Sequence, residues 1–436
     1  MTFEKSISGF VERSRFDNLS DRVVHEVKRR IIDSVGVALA SVNSPPAKSA
    51  RKFLGHYPGT SLLIGGGRAS PDIASFYNTL LIRYLDFNDT YLSREPLHPS
   101  DMIGALLAVG SSRNISCRDL ILSIAVGYEV GTRLCDAASL RSKGYDHTNY
   151  LEIATAAALS KLLCFDAEKT VNAISMALVP NVALRQSRVG RLSMWKAGAA
   201  ANSSRNAAFA ALATESGFTA PAEPISGKLA FRNIVCSDLD ISSFRAMGRP
   251  KSILHTYIKK YPVEYHAQSA VDLSLAIRRR LKGEFPDSVV VETYEAGKSI
   301  LADDQKWHPR NRETADHSLP FIVAATLLKG DFWLGTYGLA EKGSLEKLMK
   351  RVTVVEREDY TSVYAGTLPT RIVASHHGAE FAEELQVPKG HWKNPLTDEE
   401  VENKFMKLTG RRKLLDSLWN IEKRKVAEVV QSTEQN

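Results

Sequence analysis

Apolar residues recur every three or four positions over most of the first 275 residues, which predicts a largely helical region. Val23, Val27, Ile31 and Val35 share one helical face, and Ser20 precedes them as a capping residue. Several alanine-rich segments have the same spacing, and small side chains let helices approach each other closely. The sequence therefore predicts a compact helical bundle, with further helices over residues 120–134, 153–163, 171–182 and 197–214.

After about residue 285 the pattern changes to short runs of β-branched residues, with helical spacing between them near 318–328. Such side chains fit a pleated, half-buried surface, so the runs predict strands. The predicted strands cover residues 289–294, 352–355 and 371–374. The chain then returns to helix, with a capping box at Thr397 and Glu400 and a last helix predicted over 414–430.

These patterns predict a mainly α protein with a smaller α+β domain. A chain of 436 residues is long enough for two or three domains, each with its own core. We expect residues 1–275 and 400–436 to form a large helical-bundle domain. Residues 276–399 are expected to form an α+β lid domain that is inserted before the C-terminal helices.

The composition is that of a globular protein, and the net charge of +8 is mild. Hydrophobic residues make up 44% of the chain, which excludes wholesale disorder. The densest basic runs, 28–30, 278–280 and 411–413, lie far apart, and no aromatic residues alternate with them. We interpret each run as a solvated helix face and expect no nucleic-acid partner. A site for a small polyanion is the other use of the surplus charge.

Cysteine spacing argues against metal-cluster proteins, and hydropathy argues against membrane-spanning proteins. The four cysteines contain no C-x-x-C pair, so neither a zinc module nor an iron–sulfur cluster is expected. No apolar run reaches the ~20 residues that cross a bilayer, and the start of the chain lacks an apolar segment after a basic cap. We expect a cytoplasmic protein with no membrane partner.

Polar residues concentrate between two predicted helices, in Asp86-Phe-Asn-Asp-Thr90 and in His98-Pro-Ser-Asp101. Carboxylates, hydroxyls and a histidine this close together fit acid–base chemistry. The alternative is structural, because Asp, Asn and Ser also favour helix caps and turns. Lys196 stands at a predicted helix start. Its amine either holds a carboxylate group or extends into solvent. Further single polar residues, each a weak signal by itself, are His147, Lys259, Glu264, His266 and His317.

Seven short segments in a fixed order resemble the MmgE/PrpD family, and the resemblance runs from about residue 5 to 425. The ordered series is far more specific than any one segment. Within the family, the pattern is most similar to that of the 2-methylcitrate dehydratases. The segments are Asp86-Phe-Asn-Asp-Thr90, His98-Pro-Ser-Asp101, Leu184-Arg-Gln186, Trp195-Lys196 with the Ala-Gly-Ala run after it, Lys259-Lys-Tyr-Pro262, Glu264-Tyr-His266-Ala-Gln268 and Arg312-Glu-Thr-Ala-Asp-His317-Ser.

The resemblance implies a large helical domain, a smaller α+β domain and a homodimer. The implied activity is that of a hydro-lyase, the cofactor-independent and metal-free dehydration of 2-methylcitrate to 2-methyl-cis-aconitate in propionate breakdown. Other reactions on the same fold are cis-aconitate decarboxylation and iminodisuccinate epimerisation. Outside the enzymes, the alternative is an anion-binding protein.

The resemblance also implies which residues meet a small tricarboxylate substrate. Because the proton to be removed lies α to a carboxylate, the reaction needs cations where charge builds up, together with a general acid and a general base. The implied catalytic residues are Asp86, His98, His147 and His266. The implied substrate-binding residues are Thr90, Arg185, Lys196, Lys259, Glu264 and His317.

Two positions depart from the decarboxylases of the family. Glu264 stands where those enzymes carry a histidine, two residues after the proline of the Lys-x-x-Pro motif. Phe321 stands where they carry a functional tyrosine, four residues after the histidine of the Asp-His-Ser motif. Both differences argue against decarboxylase activity.

Overall fold

A computed structural model describes residues 2–190, 192–245, 247–341 and 345–434. The fold is mainly α with a smaller α+β portion, as the sequence predicts. The chain divides into two units. The helical unit comprises Met1–Val189, Met194–Thr256 and Thr397–Asn436, and the α+β unit comprises Gly190–Ser193 and Tyr257–Leu396.

The helical unit begins with a series of helices and one small hairpin. Its hairpin pairs β1 (Ser61–Leu62) with β2 (Arg68–Ala69). Its first helices are α1 (Phe3–Arg13), α2 (Asp21–Ser41), α3 (Pro45–Leu54), α4 (Pro71–Tyr84), α5 (Asp101–Ser111), α6 (Cys117–Ala137), α7 (Thr148–Leu162), α8 (Ala167–Leu178), α9 (Trp195–Glu215) and α10 (Phe231–Ile234).

Side-chain caps begin several of these helices, and the cap at Ser20 is the one that the sequence predicts for α2. Ser20 accepts a hydrogen bond from the backbone N–H of Val23 at 3.3 Å and begins α2. Asp166 accepts one from Lys169 at 2.8 Å and begins α8. Each cap satisfies a backbone donor that has no partner within its helix. The predicted end of α8 was too late, because Pro180 cannot continue a helix.

The α+β unit carries a four-stranded sheet in the order β4-β3-β5-β6, with β3 parallel to β4 and the other pairs antiparallel. Its core includes Phe321, whose ring lies 6.3 Å from that of Phe332. The strands are β3 (Ser288–Thr293), β4 (Val352–Glu356), β5 (Thr370–His376) and β6 (Ala379–Leu385). The helices are α11 (Gln268–Arg280), α12 (Glu295–Leu301), α13 (Arg312–Ala315), α14 (Leu319–Lys329), α15 (Gly338–Glu341), α16 (Glu346–Met349) and α17 (Glu358–Ser362).

The C-terminal segment returns to the helical unit as α18 (Asp398–Thr409), α19 (Arg412–Trp419) and α20 (Val426–Gln431). The capping box of Thr397 and Glu400 is present at the start of α18. The single helix predicted over 414–430 was wrong, since a 3₁₀ turn separates α19 from α20. There the carbonyl oxygen of Arg424 accepts the N–H of Cys117, and the N–H of Val426 donates to the carbonyl oxygen of Ile115. These backbone groups therefore bond to another segment and not within one continuous helix.

The interpretation of residues 28–30 as a solvated helix face was also wrong. Arg30 is only 2% exposed and lies 2.8 Å from Glu26 and 3.5 Å from the carboxylate of Asp89. It also donates hydrogen bonds to Thr256. A buried arginine is tolerated only with such partners, and the local sequence did not reveal them. Across the described part of the chain, no helix combines the length and apolarity needed to cross a membrane.

Candidate active site

The polar segment between α4 and α5 is buried within the helical unit. Asp86, Asn88, Asp89 and Thr90 are all nearly inaccessible to solvent. Asp86 has a φ of +49°, a left-handed conformation that a non-glycine residue adopts at a cost. Buried polar side chains need partners, so the contacts of this segment show which residues hold it and which face one another.

Buried charges and hydroxyls from neighbouring helices hold this segment in place. Lys404 of α18 donates to the carbonyl oxygen of Phe87 at 2.7 Å and pairs with Asp33 of α2 at 2.6 Å. Asp89 accepts bonds from the Tyr128 hydroxyl at 2.7 Å and from the backbone N–H of Ser100 at 2.9 Å. Asp89 therefore serves as a structural anchor, as the alternative interpretation of this segment expects.

The carboxylate of Asp86 lies between two cations. Its Oδ1 is 2.9 Å from Nη1 of Arg83, and its Oδ2 is 3.0 Å from Nζ of Lys196. Lys196 is the second residue of α9 and is only 4% exposed, so its amine does not extend into solvent. Nε2 of His98 lies 4.0 Å from Oδ1 of Asp86. We call Arg83, Asp86, His98, His147 and Lys196 the Asp86 cluster.

The two histidines of the Asp86 cluster are both held through Nδ1. Nδ1 of His98 lies 2.8 Å from the carbonyl oxygen of Asp89 and 3.0 Å from Oγ1 of Thr90. A carbonyl only accepts, so Nδ1 of His98 carries the proton. Nδ1 of His147 lies 3.0 Å from Oδ1 of Asp146. The centroids of the two rings are 5.9 Å apart, and the ring planes meet at 64°.

Asp146 is the buried partner of His147. Its Oδ2 accepts bonds from Nε of Arg188 at 2.9 Å and from the Ser187 hydroxyl at 2.7 Å, and its Oδ1 accepts one from the N–H of Thr148. Burial opposes its ionisation, but the charge of Arg188 and these hydrogen bonds hold the pKa of Asp146 well below its usual range. Asp146 is therefore a carboxylate that fixes the His147 ring.

Burial, reinforced by the positive charges of Arg188 and Arg83, lowers the pKa of His147 to about 3. Its Nε2 has no hydrogen-bond partner among the described residues. His147 is therefore a neutral imidazole with a lone pair on Nε2, the form that accepts a proton. An unfolded histidine binds its proton below about pH 6.5, so this residue costs the protein stability as the pH falls from there towards 3.

We expect ¹⁵N spectra of the imidazole rings to show a neutral His147 at pH 6, protonated on Nδ1. The signal is assigned by its disappearance in a His147→Gln variant. An ordinary histidine is mostly protonated at that pH, so the difference is large. A His147 imidazolium at pH 6 would contradict the lowered pKa.

Burial also affects Asp101, the first residue of α5. Its carboxylate accepts a bond from Asn88 at 2.9 Å and lies 3.7 Å from Nε of Arg83. Burial and the nearby charge of Asp89 raise the pKa of Asp101 to about 7, although Arg83 opposes the change. A carboxyl group beside the Asp86 cluster therefore titrates near neutral pH.

The sequence analysis did not identify Arg83, Asp146 or Arg188. Each stands within three residues of a predicted site residue, but only the tertiary structure shows the ion pairs. Arg185, the predicted cation of that segment, donates to the carbonyl oxygen of Arg141 at 3.3 Å and is half-buried. Its neighbour Arg188 is the residue that contacts Asp146.

The α+β unit brings Glu264 and His266 together at the start of α11. The Glu264 side chain accepts the backbone N–H of His266 at 2.7 Å, and its other oxygen lies 3.9 Å from Nε2 of the ring. Nδ1 of His266 lies 2.6 Å from the hydroxyl of Tyr294, and the Tyr364 ring is 5.7 Å from the imidazole. This histidine is thus set among a carboxylate and two phenols.

The other two predicted residues of the α+β unit are His317 and Lys259. His317 pairs through Nδ1 with the neighbouring carboxylate of Asp316 at 2.5 Å, and the carbonyl of Asp316 accepts the N–H of Glu264 at 3.0 Å. This backbone bond connects the segments of His317 and His266. Lys259 is fully buried.

Side chains of the types that bind metal ions include the cysteines and a group of one carboxylate and two imidazoles. Cys117, Cys135, Cys164 and Cys236 are free thiols, and all but Cys164 are buried. In the α+β unit, donor atoms of Glu284, His376 and His377 lie within 4.8 Å of one another.

Comparison with known proteins covers most of the chain. The N-terminal domain of the MmgE/PrpD family matches residues 5–243, and the C-terminal domain of that family matches residues 261–418. The 2-methylcitrate dehydratase of Escherichia coli (strain K12) is 25% identical over 398 residues, 83% of this chain and 80% of that protein. The 2-methylcitrate dehydratase of Cupriavidus necator is 25% identical over 382 residues, 80% of this chain and 77% of that protein.

A fungal relative extends the range of substrates named among similar proteins. Alkylcitrate dehydratase phiI of Fungal sp. (strain ATCC 74256) is 25% identical over 452 residues, 92% of this chain and 87% of that protein. Identities near 25% do not transfer a reaction, but the two domain matches together span both units of the chain. The chain belongs to the MmgE/PrpD family.

Proposed function

We propose that the protein is a hydro-lyase that converts 2-methylcitrate to 2-methyl-cis-aconitate in propionate breakdown. The observation that carries the proposal is the Asp86 cluster, in which two imidazoles held through Nδ1 lie beside Arg83 and Lys196 in a buried setting. Similarity to the 2-methylcitrate dehydratases supports the choice of substrate.

The proposed reaction begins at the carbon next to a carboxylate. Nε2 of His147 takes the proton from this carbon and leaves a carbanion that the carboxylate stabilises. Its electron pair then forms the C=C bond as the C–O bond to the tertiary hydroxyl breaks. His98 starts this step as the imidazolium, with Nδ1–H held by the Asp89 carbonyl, and its Nε2–H supplies the proton with which the hydroxyl leaves as water. One proton is taken up and one is released, so the cluster returns to its starting charge when the two histidines re-equilibrate. General acid and base assistance each contribute typically 10²–10⁴-fold.

Lys196 is the proposed electrostatic partner of the substrate carboxylate. Its ammonium group has three donors, and Asp86 holds it at 3.0 Å. Negative charge that moves onto the carboxylate in the transition state is stabilised most by a fixed cation in a buried site. Asp86 lies between Arg83 and Lys196, which weakens it as a base, so we assign it the role of orienting Lys196.

Substrate charge explains how an imidazole of low pKa serves as the base. In the free protein, the cations Arg83 and Arg188 contribute to the low pKa of His147. A bound trianion places negative charge beside the same ring, which favours the protonated form. The base is thus unprotonated before the substrate arrives and becomes stronger when it binds.

The remaining predicted residues keep their proposed roles. Thr90 touches Nδ1 of His98 and is proposed to orient that ring as well as to bind substrate. His266 is proposed as a further acid–base group. Arg185, Lys259, Glu264 and His317 are proposed as substrate contacts. A homodimer and a cytoplasmic location also remain predictions.

The test is a direct assay of the purified protein with 2-methylcitrate, with and without EDTA, in which alkene formation is followed in the ultraviolet. We expect turnover that EDTA does not diminish. Parallel reactions with citrate, cis-aconitate and iminodisuccinate, analysed for alkene, carbon dioxide and epimer, compare the alternatives within the family. A folded protein that leaves 2-methylcitrate unchanged would refute the proposed reaction.

A further inference from the structure

The hairpin between β5 and β6 places two histidine rings side by side. His376 ends β5, His377 and Gly378 form the turn, and Ala379 begins β6. Consecutive residues of a regular strand point to opposite faces of the sheet. His377 departs from that rule with a φ of +50°, and its ring centroid lies 4.1 Å from that of His376. The turn therefore directs two imidazoles to one side.

Glu284, which follows α11, contacts both rings. Its Oε2 lies 3.0 Å from Nε2 of His376 and 3.9 Å from Nε2 of His377. Two ligands bound tetrahedrally to zinc at 2.0–2.1 Å are about 3.4 Å apart. The two observed distances lie on either side of that value, and the donor atoms of all three residues lie within 4.8 Å of one another.

The local charge also favours a cation. Asp287 accepts the backbone N–H of His377 at 2.9 Å, which holds the turn and adds a second carboxylate next to the rings. Both imidazole rings lie beside the Glu284 carboxylate, so three possible ligand groups face one another. A divalent cation uses the lone pairs of both neutral rings and the carboxylate together.

We propose that Glu284, His376 and His377 bind a divalent transition-metal ion such as Zn²⁺, with a fourth position open to solvent. Two imidazoles and one carboxylate are a donor set that suits this class of ion. The bound ion joins the segment before β3 to the β5–β6 hairpin and so stabilises the sheet of the α+β unit. This site is independent of the proposed reaction.

The test is calorimetric titration of the chelator-treated full chain with ZnCl₂. We expect His377→Asn to lose one zinc equivalent or to bind it at least ~10-fold more weakly, since even changes outside the ligand set reach that size. Asparagine tolerates the left-handed conformation, so the turn is kept. Glu284→Gln removes the carboxylate at constant size and is expected to have the same effect. Zinc should also raise the Tm of the unchanged protein more than that of either variant.

A matched control uses a single histidine–carboxylate pair elsewhere. His25 of α2 lies 3.0 Å from Asp398 but belongs to no group of three possible metal ligands among the described residues, so His25→Gln should leave the zinc stoichiometry unchanged. Zinc binding that His377→Asn and Glu284→Gln leave at the level of the unchanged protein would overturn the proposal and make the group an ion pair only.

Discussion

We expect Lys196→Met to lower kcat/KM for 2-methylcitrate by at least ~100-fold, the usual size of a lost electrostatic contact in a buried site. Methionine keeps the length and apolar stem of the side chain and removes the charge, while Asp86 keeps Arg83 as its partner at 2.9 Å. The ammonium lies 3.0 Å from Asp86 and is almost fully buried, so neither water nor a nearby surface lysine can replace it. Steady-state kinetics with a check of the circular dichroism spectrum measure the effect.

The partition of the loss between kcat and KM reports what Lys196 does. A cation that stabilises charge developing in the transition state affects kcat, whereas one that only holds a ground-state carboxylate affects KM. Lys169→Met is the matched control, because Lys169 is an exposed lysine of the helical unit. Kinetics of Lys196→Met equal to those of the control would place the reaction elsewhere in the molecule.

The positions of the helices followed well from local sequence because the caps are local interactions. Ser20, Asp166 and Thr397 each accept a backbone N–H within three residues, and a pattern of that length is visible in the chain itself. The strand β6 was not predicted. It lies at the edge of the sheet, and all of its residues are exposed or half-buried. Charged residues such as Glu380 therefore interrupt the apolar run by which a strand is recognised.

In the candidate site too, features carried by short segments could be predicted from the sequence, and contacts between distant residues could not. Four of the five residues of the Asp86 cluster were named from the sequence, since Asp86, His98, His147 and Lys196 stand in recognisable short segments. The ion pairs that set their protonation were not, because each joins residues from separate elements or a pair that only folding brings together. Arg188 follows the predicted Arg185 by three positions, and no property of the sequence alone distinguishes the two.

The buried charges in and around the Asp86 cluster determine which substitutions test its chemistry without disturbing the fold. Arg83, Arg188 and Lys196 face Asp86 and Asp146 at 2.9–3.0 Å, so these three cations and two carboxylates leave one positive charge before substrate binds. Breaking one member of a buried pair leaves an uncompensated charge, which is strongly destabilising. Substitutions of Asp146 or Arg188 are therefore expected to disturb folding as well as the reaction, and Nε2 of the histidines is the sharper place to test chemistry.

We expect His147→Gln and His98→Gln each to lower kcat by 10²–10⁴-fold, the range of a lost acid or base, but to differ in isotope exchange. If His147 is the base, its loss stops exchange between the substrate C–H and deuterated water together with dehydration. The loss of His98 removes the proton for the leaving hydroxyl and leaves the base in place, so exchange continues while dehydration slows. Glutamine keeps each site polar and close to the original volume.

The measurement is proton NMR of 2-methylcitrate incubated with each variant in deuterated water, alongside alkene formation in the ultraviolet. The difference rests on Nδ1 of His147 being held by Asp146 and Nδ1 of His98 by the Asp89 carbonyl, which directs both Nε2 atoms to the chemistry. Exchange that survives in His147→Gln and disappears in His98→Gln would reverse the two roles. Because the Asp86 cluster is built from near neighbours, either result assigns the base to one of two imidazoles whose rings are 5.9 Å apart.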